Sequence, residues 1–195
     1  MKTSLKALFA TAMTAVVLSS SVLTSVAAVK SRELKVMTAN NEIKKVIITG
    51  NTKVFLVQSK TEYVTMEEGD MDKVTVKQIG NELRISSSEK SPVTVTVYVR
   101  DIFRVDASNT CVVKTLGTFK LKYLQLILKD EAVARIKANT ESLYTVINGH
   151  SNLELLGSTG KHILKHNGIG KLNTDKFAAV ETHQEPTEDV MASTR

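Results

Sequence analysis

The residues best suited to chemistry in this chain are its histidines. His162 and His166 stand four apart beside Lys161, Lys165 and Asn167, and His150 precedes them by twelve residues. On a helix that spacing puts both imidazoles on one face, ready for a metal; on a strand they share a face only if the strand runs unbroken. Gly168 follows closely, and no acid clearly converges on the pair, so exposed histidines of a β-segment are the expectation rather than ligands.

The second cluster is Glu67-Glu68-Gly69-Asp70-Met71-Asp72, four carboxylates in six positions. It lacks the ligand order and length of a known calcium loop. A glycosidase acid pair is defined by a separation in space that sequence cannot supply. A solvated acidic turn is the expected reading. Asn148-Gly149-His150-Ser151 is read as a turn, since Asn-Gly is among the strongest turn dipeptides. Cys111 is the single cysteine, so no intramolecular disulfide can form, and an unreactive thiol in a packed or turn position is expected.

No nucleophile elbow, phosphate loop or zinc spacing is present. A β-helical polysaccharide lyase would need acids and bases converging on one exterior face. Lys114, Lys122, Lys137 and Lys161 are scattered, and between residues 110 and 170 the acids are Asp130, Glu131, Glu141 and Glu154. No catalytic, cofactor-binding or metal-binding residue is assigned, and no cofactor is implied.

The elements that would hold such groups are β-strands. Lys45–Thr49, Lys53–Val57, Tyr63–Met66, Val74–Val76, Leu83–Ile85 and Val93–Val99 are rich in β-branched residues, and Gly50-Asn51, Gly69-Asp70 and Gly80-Asn81 punctuate them. Val93–Val99 places four valines on one face and Thr94, Thr96 and Tyr98 on the other, as in a half-buried strand. Ile79 to Leu83 reads as a tight hairpin, so the N-terminal part has room for local antiparallel pairing. Leu124–Lys137 contains good helix formers, but Asp130-Glu131 fits a turn between two strands.

Beyond Val99 a longer period emerges. Val105, Leu124, Leu143 and Ile163 are spaced by 19, 19 and 20, and Leu116, Ala134, Leu153 and Leu172 by 18, 19 and 19. Asp130, Gly149 and Gly168 are 19 apart, as are Asn148 and Asn167. A fixed period near 20 with two interleaved strand columns predicts a β-solenoid, each coil giving one strand to each of two stacked sheets. The alternative is an antiparallel β-sandwich, whose turns need not keep a fixed spacing.

The order Ile48-Thr49-Gly50-Asn51, then Gly80-Asn81-Glu82-Leu83-Arg84-Ile85, then Val95-Thr96-Val97-Tyr98-Val99-Arg100-Asp101 resembles the auto-transporter adhesin head GIN domain family of Bacteroidetes. The segments Val105–Asn109 and Gly168–Asn173 are similar to its repetitive half, and the resemblance covers roughly residues 43 to 178. It implies a right-handed parallel β-helix-like fold outside the cytoplasmic membrane and an adhesin label, and it carries over no catalytic residues. The chain departs from the family name by reading Gly168-Ile169-Gly170 where Gly-Ile-Asn is suggested. Coil building is expected to stop after Phe177, which leaves an open end to be covered.

At the N-terminus, Met1 to Lys6 carries two cations and no acid. An apolar, small-residue stretch follows from Ala7 to about Leu23 and closes on Ser25-Val26-Ala27-Ala28. That is a cleavable signal peptide over 1–28, cut after Ala27 or Ala28, and not a retained span of roughly 20 residues. A lead segment at 29–42, a β-domain at 43–180 and an acidic flexible tail at 181–195 follow.

Without Lys2 and Lys6 the net charge falls from +6 to +4. This excess is dispersed, the chain has no Trp, and aromatics make up 5% of it, so nucleic-acid binding is not expected. The function expected is exported, non-enzymatic, adhesin-like binding of an unknown protein or glycan at the cell envelope, in the periplasm, on the surface or secreted. A structural envelope module that binds partner proteins is the first alternative and a glycan-active β-helix enzyme the second.

Overall fold

The structure, a computed structural model, describes residues 33–38 and 41–186, and the expected signal peptide and the end of the acidic tail lie outside them. The described residues form one 13-stranded sheet, open and strongly curled into a half-barrel, with no α-helix. Its strands are β1 (Glu33–Thr38), β2 (Lys45–Gly50), β3 (Thr52–Gln58), β4 (Tyr63–Glu67), β5 (Thr75–Ile79), β6 (Glu82–Ser87), β7 (Val93–Val99), β8 (Arg104–Ala107), β9 (Val112–Leu116), β10 (Phe119–Leu128), β11 (Val133–Gly149), β12 (Asn152–Gly168) and β13 (Leu172–Glu185). Leu124–Lys137 is strand on both sides of a turn at Asp130-Glu131, because its alternating burial overrides helix propensity.

The strands fall into two ladders. Ladder A runs β5-β6-β2-β8-β10 and continues into the second halves of β11, β12 and β13; ladder B runs β1-β4-β7-β3-β9 and continues into their first halves. Only β1–β4, β4–β7 and β5–β6 pair antiparallel among the described strands, all toward the N-terminal end, and the rest are parallel. An antiparallel sandwich is therefore not what the pairings form. The hairpin expected at Gly80-Asn81 joins β5 and β6, with Gly80 at φ 60° as the first turn residue of a type II′ loop requires.

Residue alternation delivers one core. Inward rows cross ladder A as Leu83–Val46–Val105–Leu126–Thr145–Leu164–Gln184 and ladder B as Met66–Val95–Val54–Val113–Ala134–Leu153–Leu172. Both rows belong to a single apolar cluster over most of their length. Each fully buried Leu, Ile or Val contributes roughly 1.5–3 kcal/mol relative to an exposed one. Toward β13 the rows of ladder A turn polar: Leu124–Leu143–His162–Thr182 is one case, with His162 buried and its Nε2 2.8 Å from Thr145 Oγ1.

The expected period is present but two of its apolar series are out of phase. β11 and β12 pair at an offset of 19, Ala134 with Leu153, whereas β9 and β11 pair at 21, Val113 with Ala134. Leu116 therefore leaves the inward row and is half exposed, and His162, not Ile163, sits beside Leu143. With period-two side chains, a slip of one residue moves a position to the other face. The two extra residues fall in the bend around Gly117, between Lys114 opposite Arg135 and Phe119 opposite Ala138.

Corners are held by repeated backbone geometry. Asn109, Asp130, Gly149 and Gly168 all have positive φ, at 62°, 61°, 67° and 137°. They are stitched by Glu131 N to Asn109 O (3.2 Å), His150 N to Asp130 O (2.7 Å) and Ile169 N to Gly149 O (3.0 Å). Gln58 ties another corner: its amide donates to Arg100 O at 3.1 Å and Lys120 O at 3.0 Å and accepts from Lys120 N at 2.9 Å. The lead segment contributes β1, and β13 carries the chain through Glu185, five residues past the expected close of the β-domain at 180.

Two stability outcomes follow. A Cβ on Gly168 would lie 2.4 Å from Gly149 O, while one on Gly80 would meet nothing within 4 Å. In urea unfolding Gly80→Ala should cost about 1 kcal/mol, the left-handed penalty alone, and Gly168→Ala about 3 kcal/mol or more because backbone must move as well. Equal costs would contradict the stacked corner. Burial holds the His162 pKa below the usual imidazole value. The unfolded chain then binds a proton that the folded one does not, so the stability is complete above about pH 6.5 and declines as pH falls through that value. Wild type should lose more unfolding free energy between pH 7.5 and 5 than His162→Gln does.

Candidate functional site

The sequence-derived candidates do not converge. His162 faces the core and His166 turns its Nε2 to Gly170 O at 3.0 Å, about 13 Å along the same strand by its residue rise. His150 lies exposed at a corner. The expectation of exposed histidines is thus wrong for His162, because it occupies an inward place that Leu143 fills one layer earlier. Glu68–Lys73 forms a 3₁₀ turn in which Asp70 pairs with Lys73 at 2.9 Å. Among the described residues no three His, Cys, Asp or Glu side chains gather as a metal set. Cys111 is fully buried, in the packed position expected, and burial pushes its thiol up to about 11. Asn148 follows its expected place in a turn, with Ser151 Oγ donating to its carbonyl at 2.8 Å.

The outward positions are organised instead. On ladder A an ion-pair lattice crosses three strands: Lys45 reaches Glu82 at 3.0 Å and Asp106 at 3.3 Å, and Arg104 forks onto Asp106 at 2.7 and 3.1 Å. The hydrogen bond from Lys45 holds the Glu82 carboxyl below the usual range. These charges satisfy one another and pin strand register.

On ladder B the positions opposite the core row carry aromatic, hydroxyl and charged side chains. One row reads Tyr63–Tyr98–Val57–Leu116, the next Thr65–Thr96–Phe55–Lys114–Arg135–Glu154–Asn173. Tyr63 and Tyr98 stack at 4.1 Å with ring planes 11° apart, Lys35 lies 4.7 Å over Tyr63, and Lys53 lies 5.2 Å over Phe55. Farther along, Lys114, Val133, Arg135, Glu154, Lys171 and Asn173 line a groove of about 380 Å³. Arg135 Nη1 meets Glu154 Oε2 at 3.2 Å, and both are partly exposed. Three cations against one acid favour an anionic ligand, and an arginine fork can take a carboxylate or sulfate with two parallel hydrogen bonds.

Part of this was visible in the alternation of Thr94, Thr96 and Tyr98. The rest was not: Tyr63 reaches Tyr98 through antiparallel pairing, and Lys114 meets Arg135 across an offset of 21, neither of which a local pattern reveals.

Comparison with known proteins places the chain. No curated protein matches it. Among solved structures, a "putative adhesin" from Parabacteroides merdae aligns with a TM-score of 0.56 at 15% identity, covering 78% of this chain and 76% of that one. A "putative lipid binding protein" from Parabacteroides distasonis aligns equally well, at 0.56 with 10% identity and the same coverage. A "putative adhesin" of the same organism gives 0.52 at 14%. At these identities the likeness shows a shared fold. The family model described as "Putative auto-transporter adhesin, head GIN domain" matches residues 42–185, and with most of the chain inside that match this protein belongs to the head GIN domain family.

Proposed function

We propose that this is an exported, non-enzymatic binding protein of the bacterial cell envelope, and that the outer face of ladder B is its adhesive surface, with an acidic glycan as partner. The observation that carries the reading is the groove of Lys114, Arg135 and Lys171, on the same outer face as the stacked Tyr63–Tyr98 pair, whose Tyr98 strand lies two strands from that of Lys114. Aromatic faces pack against the C–H surfaces of sugar rings while the cations take carboxylates or sulfates. Family membership and the descriptions of the solved relatives support binding rather than catalysis. The composition of residues 1–28 supports export through a cleaved signal peptide. In this reading the two ladders are the walls of a right-handed solenoid with coils of about 19 residues, supported by the parallel offsets of β11, β12 and β13.

A second reading, a structural envelope module, has its own support at the β13 edge. Among the described strands β13 pairs with β12 alone, and Val180 is 90% exposed, a combination that invites pairing with another chain.

The discriminating measurement is retention on immobilised polygalacturonate and on heparin. Wild type should bind and elute with rising salt, as screening of exposed charges requires. Lys114→Glu combined with Arg135→Glu should weaken binding at least about tenfold, equivalent to about 1.4 kcal/mol. Unchanged retention in the double variant, or none in wild type at low salt, would sink the glycan reading. Concentration-dependent self-association abolished by Val180→Lys would favour the second.

A further inference from the structure

The interior of the sheet ends in a cavity of about 280 Å³ between β12 and β13, lined by His162, Leu164, Leu172, Thr174, Phe177, Ala179 and Thr182. None of these seven carries a formal charge when the imidazole is neutral. By the share of liquid volume that a water occupies, the space equals about nine waters, enough for a short alkyl chain.

His162 gives the cavity a specific polar point. The residue is only 3% exposed, its Nε2 is engaged with Thr145 Oγ1 at 2.8 Å, and its ring meets the edge of Phe177 at 5.6 Å between centroids. Among the described residues nothing hydrogen-bonds its Nδ1, and that atom is not one of the sealed side-chain atoms left without a partner, so it stays accessible from the cavity that the ring lines. In ladder A the inward rows also cease to be aliphatic at this layer, with Thr182 beside His162 and Gln184 beside Leu164. The cavity is therefore not the bare half of a continuing aliphatic core.

We propose that this cavity is a binding site for a single-chain aliphatic alcohol, its alkyl chain lying among Leu164, Leu172, Phe177 and Ala179 and its hydroxyl on His162 Nδ1. A hydroxyl suits the site because it donates and accepts. If Thr145 donates to Nε2, the proton resides on Nδ1 and the ligand oxygen accepts it; if Nε2–H donates to Thr145, Nδ1 accepts from the ligand. A carboxylate suits it less, since burial keeps the imidazole neutral and the lining supplies no cation.

The probe is octan-1-ol, titrated into the signal-free chain and followed by calorimetry and by the ring ¹H–¹³C resonances of His162. Saturable one-to-one binding that shifts the His162 ring is expected, with octanoate at pH 8 at least tenfold weaker. Ala179→Leu adds bulk to the lining from β13, whose pairing partner among the described strands is β12, and should abolish binding while leaving the circular dichroism and thermal midpoint unchanged. His162→Phe keeps the apolar volume and should weaken octan-1-ol about tenfold without weakening octane. No saturable heat up to the solubility of the alcohol, or binding untouched by Ala179→Leu, would overturn the site. So would His162 resonances that move with protein concentration instead of with alcohol, the sign that a second copy fills the cavity.

Discussion

The structure depends on one constraint, the parallel register between successive layers. A side chain in one layer must sit over its counterpart in the next with the same orientation, or a leucine destined for the core emerges on the surface. The offset of 19 between β11 and β12 meets that demand over sixteen registered pairs from Val133 to Gly149. Corners obey it too: the left-handed residue of each layer stacks on that of the layer before, and the amide beyond it bonds the carbonyl beneath. Hydrophobic burial drives the stack, but register decides which burial occurs.

That dependence explains how much was legible beforehand. The strands Lys45–Gly50 through Val93–Val99 declare themselves by β-branched alternation, and the Asp130–Gly149–Gly168 corner by spacing, since both signals are local or strictly periodic. Phase is another matter. Leu116 and Ile163 fit an apolar count near 20, yet the loop at Gly117 absorbs two residues, and His162 outcompetes Ile163 for the inward place because strand parity is absolute. The outer groove escaped notice for a related reason. Lys114, Arg135 and Lys171 are far apart in sequence, and nothing in the local pattern of any one of them anticipates the others.

Two chemistries share each strand. Inward residues are aliphatic up to the last ladder A layers, whereas outward ones divide the surface into territories. On ladder A, Lys45, Glu82, Arg104 and Asp106 neutralise one another and leave little for a ligand. On ladder B the cations of the groove outnumber their acid, and the tyrosines stack instead of entering the core. The same backbone thus separates a face of mutually paired charges from one on which cations outnumber acids.

The order of the layers has a consequence for how the molecule comes into being. β2–β3 lies between β6–β7 on one side and β8–β9 on the other, so the earliest of these layers in the chain ends up enclosed by later ones. Growth at that end cannot be simple winding in one direction. One edge of β2–β3 has its partners only once the chain reaches Val99 and the other only at Leu116, 41 and 58 residues beyond Gln58, whereas the strands after β9 pair in chain order. The pairings of the N-terminal half are therefore mutually dependent, since β2–β3 is the shared partner of the strands on both of its sides, whereas β12 and β13 each add to an edge already formed.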